Sequence, residues 1–207
     1  MYGIGIGAGL GGSIAIGRGK YVIKMEGNFG IAYGFESGLG KLDLFACDFE
    51  ADLSLFSGTG IGSINGSTEV SVTHCTVKVF MGGIDLVGIG TMNGAYAKMH
   101  LDNGVVNLDL RGEHLVGIGS VKGETEVYIH QAALRLTGEG KNSLSFGGDN
   151  ENCKVMLDDA DSLINLKSGR PTDSNCPDEN YKILGGRCKI MINGVQFERK
   201  IDDKNYV

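Results

Sequence analysis

Proline is nearly missing from this chain, with two residues among 207, and tryptophan is absent altogether. So little proline, with no strict Gly-X-Y period, excludes a collagen helix and a proline-rich linker. No lysine/arginine cluster stands out, and 19 basic residues against 25 acidic ones leave a formal charge of −6. Duplex nucleic acid needs a positive face that can release counterions, so that class of partner is set aside. Apolar stretches end after a few residues, too short for a membrane-spanning helix. No basic segment leads into an apolar run, so no signal peptide is read. Five cysteines (Cys47, Cys75, Cys153, Cys176, Cys188) are an odd number. They have neither the Cys-x-x-Cys spacing of a zinc site nor the density of a disulfide scaffold. They read as free, partly buried thiols, which suits a reducing compartment.

Glycine is what the chain has in excess, 35 of 207 residues or about 17 %, against an average near 7 %. Its placement is periodic. An apolar-glycine signature recurs at Gly5-Ile6-Gly7, Ala32-Tyr33-Gly34, Gly60-Ile61-Gly62, Gly88-Ile89-Gly90, Gly117-Ile118-Gly119 and Ser145-Phe146-Gly147. The closing residues stand at 7, 34, 62, 90, 119 and 147, so the steps are 27, 28, 28, 29 and 28. A fixed period in the range of 20–50 residues marks a stacked-repeat architecture. A second glycine four residues later (Gly11, Gly38, Gly66, Gly94, Gly123) marks a turn in the first five copies.

Between these glycines the chain alternates apolar and polar residues, the pattern of a half-buried strand. In the third copy Val70 and Val72 point one way and Glu69, Ser71 and Thr73 the other; Val77 and Val79 repeat this after His74-Cys75. Matching pairs are Leu42/Leu44 in the second copy, Met99/Leu101 in the fourth and Val127/Ile129 in the fifth. Each unit therefore holds three short strands: the signature, a middle strand and a closing strand. Such a coil cannot bury its own apolar face. Parallel stacking, at about 4.8 Å per rung, places each inward Val, Ile or Leu on the one below. The expected fold is all-β, a parallel β-helix of about six rungs of about 28 residues. An antiparallel sandwich or propeller is the runner-up.

The repeat domain is expected over residues 1–149 and a terminal cap over 150–207. Residues 151–157 read as the middle strand of a seventh, incomplete rung. Residues 168–180 form a polar loop carrying both prolines, Pro171 and Pro177. Lys189–Ile192, Asn193-Gly194 and Val195–Glu198 read as a hairpin that covers the open end of the stack. The signature begins directly after Met1-Tyr2, which suits a piece of a longer chain.

The search for chemistry returns no assigned catalytic, cofactor-binding or metal-ligating residue. The opening Gly7-Ala8-Gly9-Leu10-Gly11-Gly12 mimics a dinucleotide loop, yet no helical pattern follows and the same signature returns five times. Outward acids on the middle strands include Asp43, Glu69 and Glu126. Counted from the signature, Glu69 and Glu126 share a column with Ala97 between them, too far apart for the carboxylate pair of a glycosidase. His100, His114 and His130 fall at different offsets, so no histidine column forms, although His100 and His130 could approach across neighbouring rungs. Thirteen residues after each anchor come Lys20, Cys47, Cys75, Asn103 and Ala132, expected as one corner column with Cys47 and Cys75 on adjacent rungs. Filling a tight corner is the first reading of those two thiols, a disulfide or metal pair the second.

The copies Gly5-Ile6-Gly7, Gly60-Ile61-Gly62, Gly88-Ile89-Gly90 and Gly117-Ile118-Gly119, each with its glycine turn and alternating strands, resemble glycine-rich β-helical repeats of bacterial cell-surface and carbohydrate-binding proteins. The resemblance covers about residues 3–148. It implies a bacterial, non-catalytic module that displays a surface or ligand groove. The functional expectation is therefore a binding or scaffold module presenting a rigid surface to a partner protein or a glycan, without cofactor or membrane insertion. A polysaccharide lyase or glycoside hydrolase of β-helix type is the alternative.

Overall fold

The computed structural model describes residues 2–147, 152–159, 161–168, 181–182 and 189–197. It is a parallel β-solenoid with the period that the glycines announce. The extended chain is unbroken at first, so β1 (Tyr2–Thr73) bends through more than two turns without leaving strand conformation. β2 (Thr76–Gly82) closes the third coil. The fourth coil is β3 (Asp85–Thr91), β4 (Tyr96–Asp102) and β5 (Val105–Arg111). The fifth is β6 (His114–Ser120), β7 (Glu124–His130) and β8 (Ala133–Gly140). The sixth holds β9 (Asn142–Phe146), β10 (Cys153–Asp158) and β11 (Asp161–Ser168). Beyond them lie β12 (Tyr181–Lys182), β13 (Lys189–Ile192) and β14 (Val195–Phe197).

From the second coil to the sixth the strands pair in parallel with their counterparts one coil away, and three stacks result. Signature strands pair Ile61↔Ile89↔Ile118↔Phe146. Middle strands pair Val70↔Met99↔Val127↔Val155. Closing strands pair Ala51↔Val79↔Leu108↔Leu136. All these inward residues are buried. Middle and closing strands alternate buried and exposed positions, whereas β3 and β6 are buried along their length after the first residue. β10, counted from the sequence as a seventh middle strand, is the sixth in space: it follows the sixth signature and pairs with β7. The hairpin is present, with β13 parallel to β10 and β14 antiparallel to β13. Asn193 (φ 48°) and Gly194 (φ 76°) both take the positive φ that a two-residue hairpin turn requires. Beyond Ser168 itself, the loop expected over 168–180 lies outside the described residues.

The signature glycine is required by contact as well as by φ. Gly62 has φ 141°, and a Cβ there would lie 1.8 Å from the carbonyl oxygen of Gly90 on the next coil. The corner that follows is lined by buried hydroxyls. Thr91 Oγ1 donates to the Gly66 carbonyl at 2.6 Å and accepts from the Gly94 amide at 3.0 Å. Ser120 Oγ repeats this one coil on, donating to the Gly94 carbonyl at 3.1 Å and accepting from Gly123 at 2.7 Å. The Ser63 hydroxyl likewise bonds the Gly66 carbonyl. Turn amides and carbonyls that stacking would strand are thereby satisfied.

Candidate functional site

The chain passes from middle to closing strand through one residue in the left-handed region. These are Arg18, Ala46, His74, Asn103, Gln131 and Asp159, with φ between 43° and 54°. Their steps are 28, 28, 29, 28 and 28, so this conformation repeats on every coil. Such a φ costs an L-residue energy, least for Asn, Asp and His, which supply three of the six. The next residue faces inward and is small: Cys47, Cys75 and Ala132 are buried. Two members of the column expected from the sequence are corrected. Gly104, not Asn103, stacks on Cys75, since the Cys75 carbonyl accepts from Val105 N–H at 2.8 Å and the Gly104 carbonyl from Ala133 N–H at 2.9 Å. In the first coil Gly19, not Lys20, follows the corner residue Arg18.

One irregularity causes the slip in the fourth coil. Ser63 to Thr68 is five steps and Ser120 to Thr125 is five, but the paired stretch from Thr91 to Ala97 is six. The extra residue sits in the Gly94 turn and shifts everything after it. Lys98, not Ala97, therefore stands between Glu69 and Glu126; Ala97 points inward and is buried. The column runs Glu69↔Lys98↔Glu126↔Lys154↔Lys189 along one wall of a cleft of about 510 Å³. Lys98 pairs with Glu126 at 3.0 Å, and Lys41 with Glu69 at 3.1 Å. A lysine between the two carboxylates rules this column out as a glycosidase pair. Exposed pairs of this kind add at most about 1 kcal/mol each.

The corner itself borders a second cleft of about 690 Å³, rimmed by His74, Asn103, Gln131 and Asp159, with Cys75 and Val105 also lining it. Beside it, at the ends of the middle strands, Asp102 and His130 pair in register, Nδ1 to Oδ1 at 2.8 Å. The Asn103 amide donates to the same carboxylate oxygen at 3.0 Å. The bond from His130, with help from Asn103, holds the Asp102 carboxyl below its ordinary range. Asp158 is the register neighbour of His130 on the other side, so the imidazole stands between two aspartates.

Rings gather next to this polar corner. Tyr128 stacks on His130 with centroids 6.3 Å apart and planes 19° from parallel. His100, one coil away, lies 5.8 Å from Tyr128. Tyr128 thus separates the two histidines expected to approach each other, and His130 finds Asp102 instead. Further down the strip Phe45, about half exposed, meets His74 edge-on at 6.2 Å. Few outward aromatics are visible from the sequence, and their convergence depends on the middle-strand register that the inserted residue alters.

Among the described residues no group of three or more His, Cys, Asp or Glu is placed to hold a metal ion. Among the described residues no hydroxyl or thiol hydrogen-bonds His130. Cys47 and Cys75 are free thiols, as expected, but Cys153 is disulfide-bonded. Spacing along the chain carries no information on that pairing. No protein-family model, curated protein or solved structure matches this chain.

Proposed function

We propose that this solenoid is a non-enzymatic binding module, and that it holds a neutral glycan along the outer corner. The observation that carries the reading is the ring strip His100–Tyr128–His130 set beside Asp102, Asn103 and Gln131. Sugar rings present an apolar C–H face, which stacks on aromatic rings, and an edge of hydroxyls, which pairs with carboxylates and amides. The polar corner residues recur at the rung spacing of about 4.8 Å, and the rings of His100 and Tyr128 stand one rung apart, a step comparable to the length of one pyranose ring. The chain's formal charge of −6 and the corner aspartates favour a neutral polymer over an acidic one. A rigid stack supports this role because the corner backbone is fixed by coil-to-coil hydrogen bonds before any ligand arrives.

A polysaccharide array followed by calorimetry tests the reading. Retention of a neutral glycan is expected, with Tyr128→Ala weakening it at least tenfold while far-ultraviolet circular dichroism stays unchanged. Equal binding by the variant, or no neutral glycan retained, would defeat it. A second reading, a polysaccharide lyase or hydrolase, draws on the Asp102–His130 pair alone. Release of reducing ends or unsaturated sugars, abolished by His130→Ala, would favour that enzyme.

A further inference from the structure

A buried pair of thiols lies outside the glycan reading. Cys47 and Cys75 follow the left-handed corner residues Ala46 and His74 on consecutive coils, and their sulfurs are 3.4 Å apart. Both side chains are buried, at 4 % and 3 % exposure, yet Cys75 lines the corner cleft. The two sulfurs are not equivalent. The Cys47 backbone N–H donates to Cys75 Sγ at 3.4 Å. Cys75 Sγ also lies 3.3 Å from the Thr73 carbonyl, to which its proton is donated. Burial, and then the hydrogen bond to Cys75, push the Cys47 thiol up to about 12, whereas Cys75 is the one of the two that lines the cleft.

We propose that Cys47 and Cys75 form a redox modification site, in which a small hydroperoxide reaching the corner cleft oxidises Cys75 and Cys47 resolves it into a disulfide between the second and third coils. In the first step Cys75 thiolate attacks one peroxide oxygen. An S–O bond forms, the O–O bond breaks, and hydroxide leaves and takes up the proton lost by Cys75. In the second step the Cys47 sulfur attacks the Cys75 sulfenic acid; an S–S bond forms, the S–O bond breaks, and water leaves carrying the Cys47 proton. Two thiols give up two electrons and hydrogen peroxide becomes two waters, the usual course for a sulfenic acid with a thiol beside it. Adjacent coils stack at about 4.8 Å, inside the Cα separation of about 4.4–6.8 Å that disulfides use, so rotation of the two side chains closes the bond without parting the coils.

The test uses the full chain, purified without reductant and treated with a small excess of hydrogen peroxide. It is then quenched, denatured, alkylated and mapped by mass spectrometry without reduction. Two fewer alkylatable thiols and a linked peptide pair containing Cys47 and Cys75 are expected, with a rise in Tm that reductant reverses. Cys47→Ser should leave a sulfenic acid at Cys75 that dimedone traps, whereas Cys75→Ser should leave Cys47 a thiol. The wild-type map decides the matter even if a variant folds poorly. Full alkylation of both cysteines after treatment, or sulfinic acid at Cys75 beside an intact Cys47 thiol, would overturn the proposal. Neither result depends on whether a glycan binds.

Discussion

Two buried hydroxyls near the ends of signature strands have opposite energetic meanings. The Thr91 hydroxyl serves Gly66 and Gly94 at once, whereas Ser143 Oγ is buried with no hydrogen-bond partner among the described residues. Ser143 occupies the column Leu86↔Leu115↔Ser143, where an apolar side chain belongs. An orphaned buried polar group costs about 1–3 kcal/mol, and removing one partner from a satisfied pair exposes the other to the same penalty. Thr91→Val should therefore destabilise by about 1–3 kcal/mol, because the amide of Gly94 and a bond to Gly66 lose their partner. Ser143→Ala should be neutral or stabilising, since it deletes the orphan and leaves little extra space. Urea titrations of both variants check this, and destabilisation of similar size in both would contradict it. Neither role can be read from the residue type. Both are serine or threonine in a strand, and only the neighbouring coil distinguishes them.

For the elements, the sequence carried the period but not the register. The glycine steps specify coil length, because a Cβ at a signature position meets the carbonyl of the next coil. The inward residues Val70, Met99 and Val127 stand 8, 9 and 8 residues after their anchors, as 70 − 62, 99 − 90 and 127 − 119 show. That inconsistency is the visible trace of the extra residue in the Gly94 turn. The 29-residue step from Gly90 to Gly119 shows that the fourth coil is longer but not where the extra residue sits, which is why Ala97 is expected where Lys98 stands. The ring strip was hidden for the same reason, since it depends on which middle-strand residues become neighbours. The glycine argument has a direct test. Gly62→Ala places a Cβ within 1.8 Å of the Gly90 oxygen at φ 141°, so neither coil can relax by moving a side chain. The loss should exceed the roughly 1 kcal/mol of conformational strain alone. A Gly82→Ala control, with open space around its Cβ, should cost far less. Equal chemical-denaturation midpoints for the two variants would show that the close approach is not what the period protects.

Across the whole molecule, a solenoid is stabilised chiefly by nearest-neighbour contacts, so each coil depends on having one above and one below. Coils three to five have both, and their inward side chains are at most about 5 % exposed. The first coil has a neighbour on one side among the described residues. Its inward Ile6, Ile14, Ile16, Ile23 and Met25 pack on the core while only partly buried, and Val22 is half exposed. Two side-chain hydrogen bonds from the second coil fasten it among the described residues: the Tyr33 hydroxyl donates to the Ile14 carbonyl at 2.7 Å, and the Ser37 hydroxyl to the Gly9 carbonyl at 3.2 Å. Local opening free energies follow buried apolar contact, so backbone amides should exchange with solvent in a graded order. Protection should be weakest over residues 3–28, intermediate in the second coil and strongest through β2 to β7. Tyr33→Phe should speed exchange in the first coil several-fold while leaving β4 and β7 unchanged. Deuterium uptake followed by peptide mass spectrometry reads this directly. A single uptake rate across all coils would mean that the column opens as one cooperative unit, and that coupling along the stack outweighs the missing contacts of the first coil.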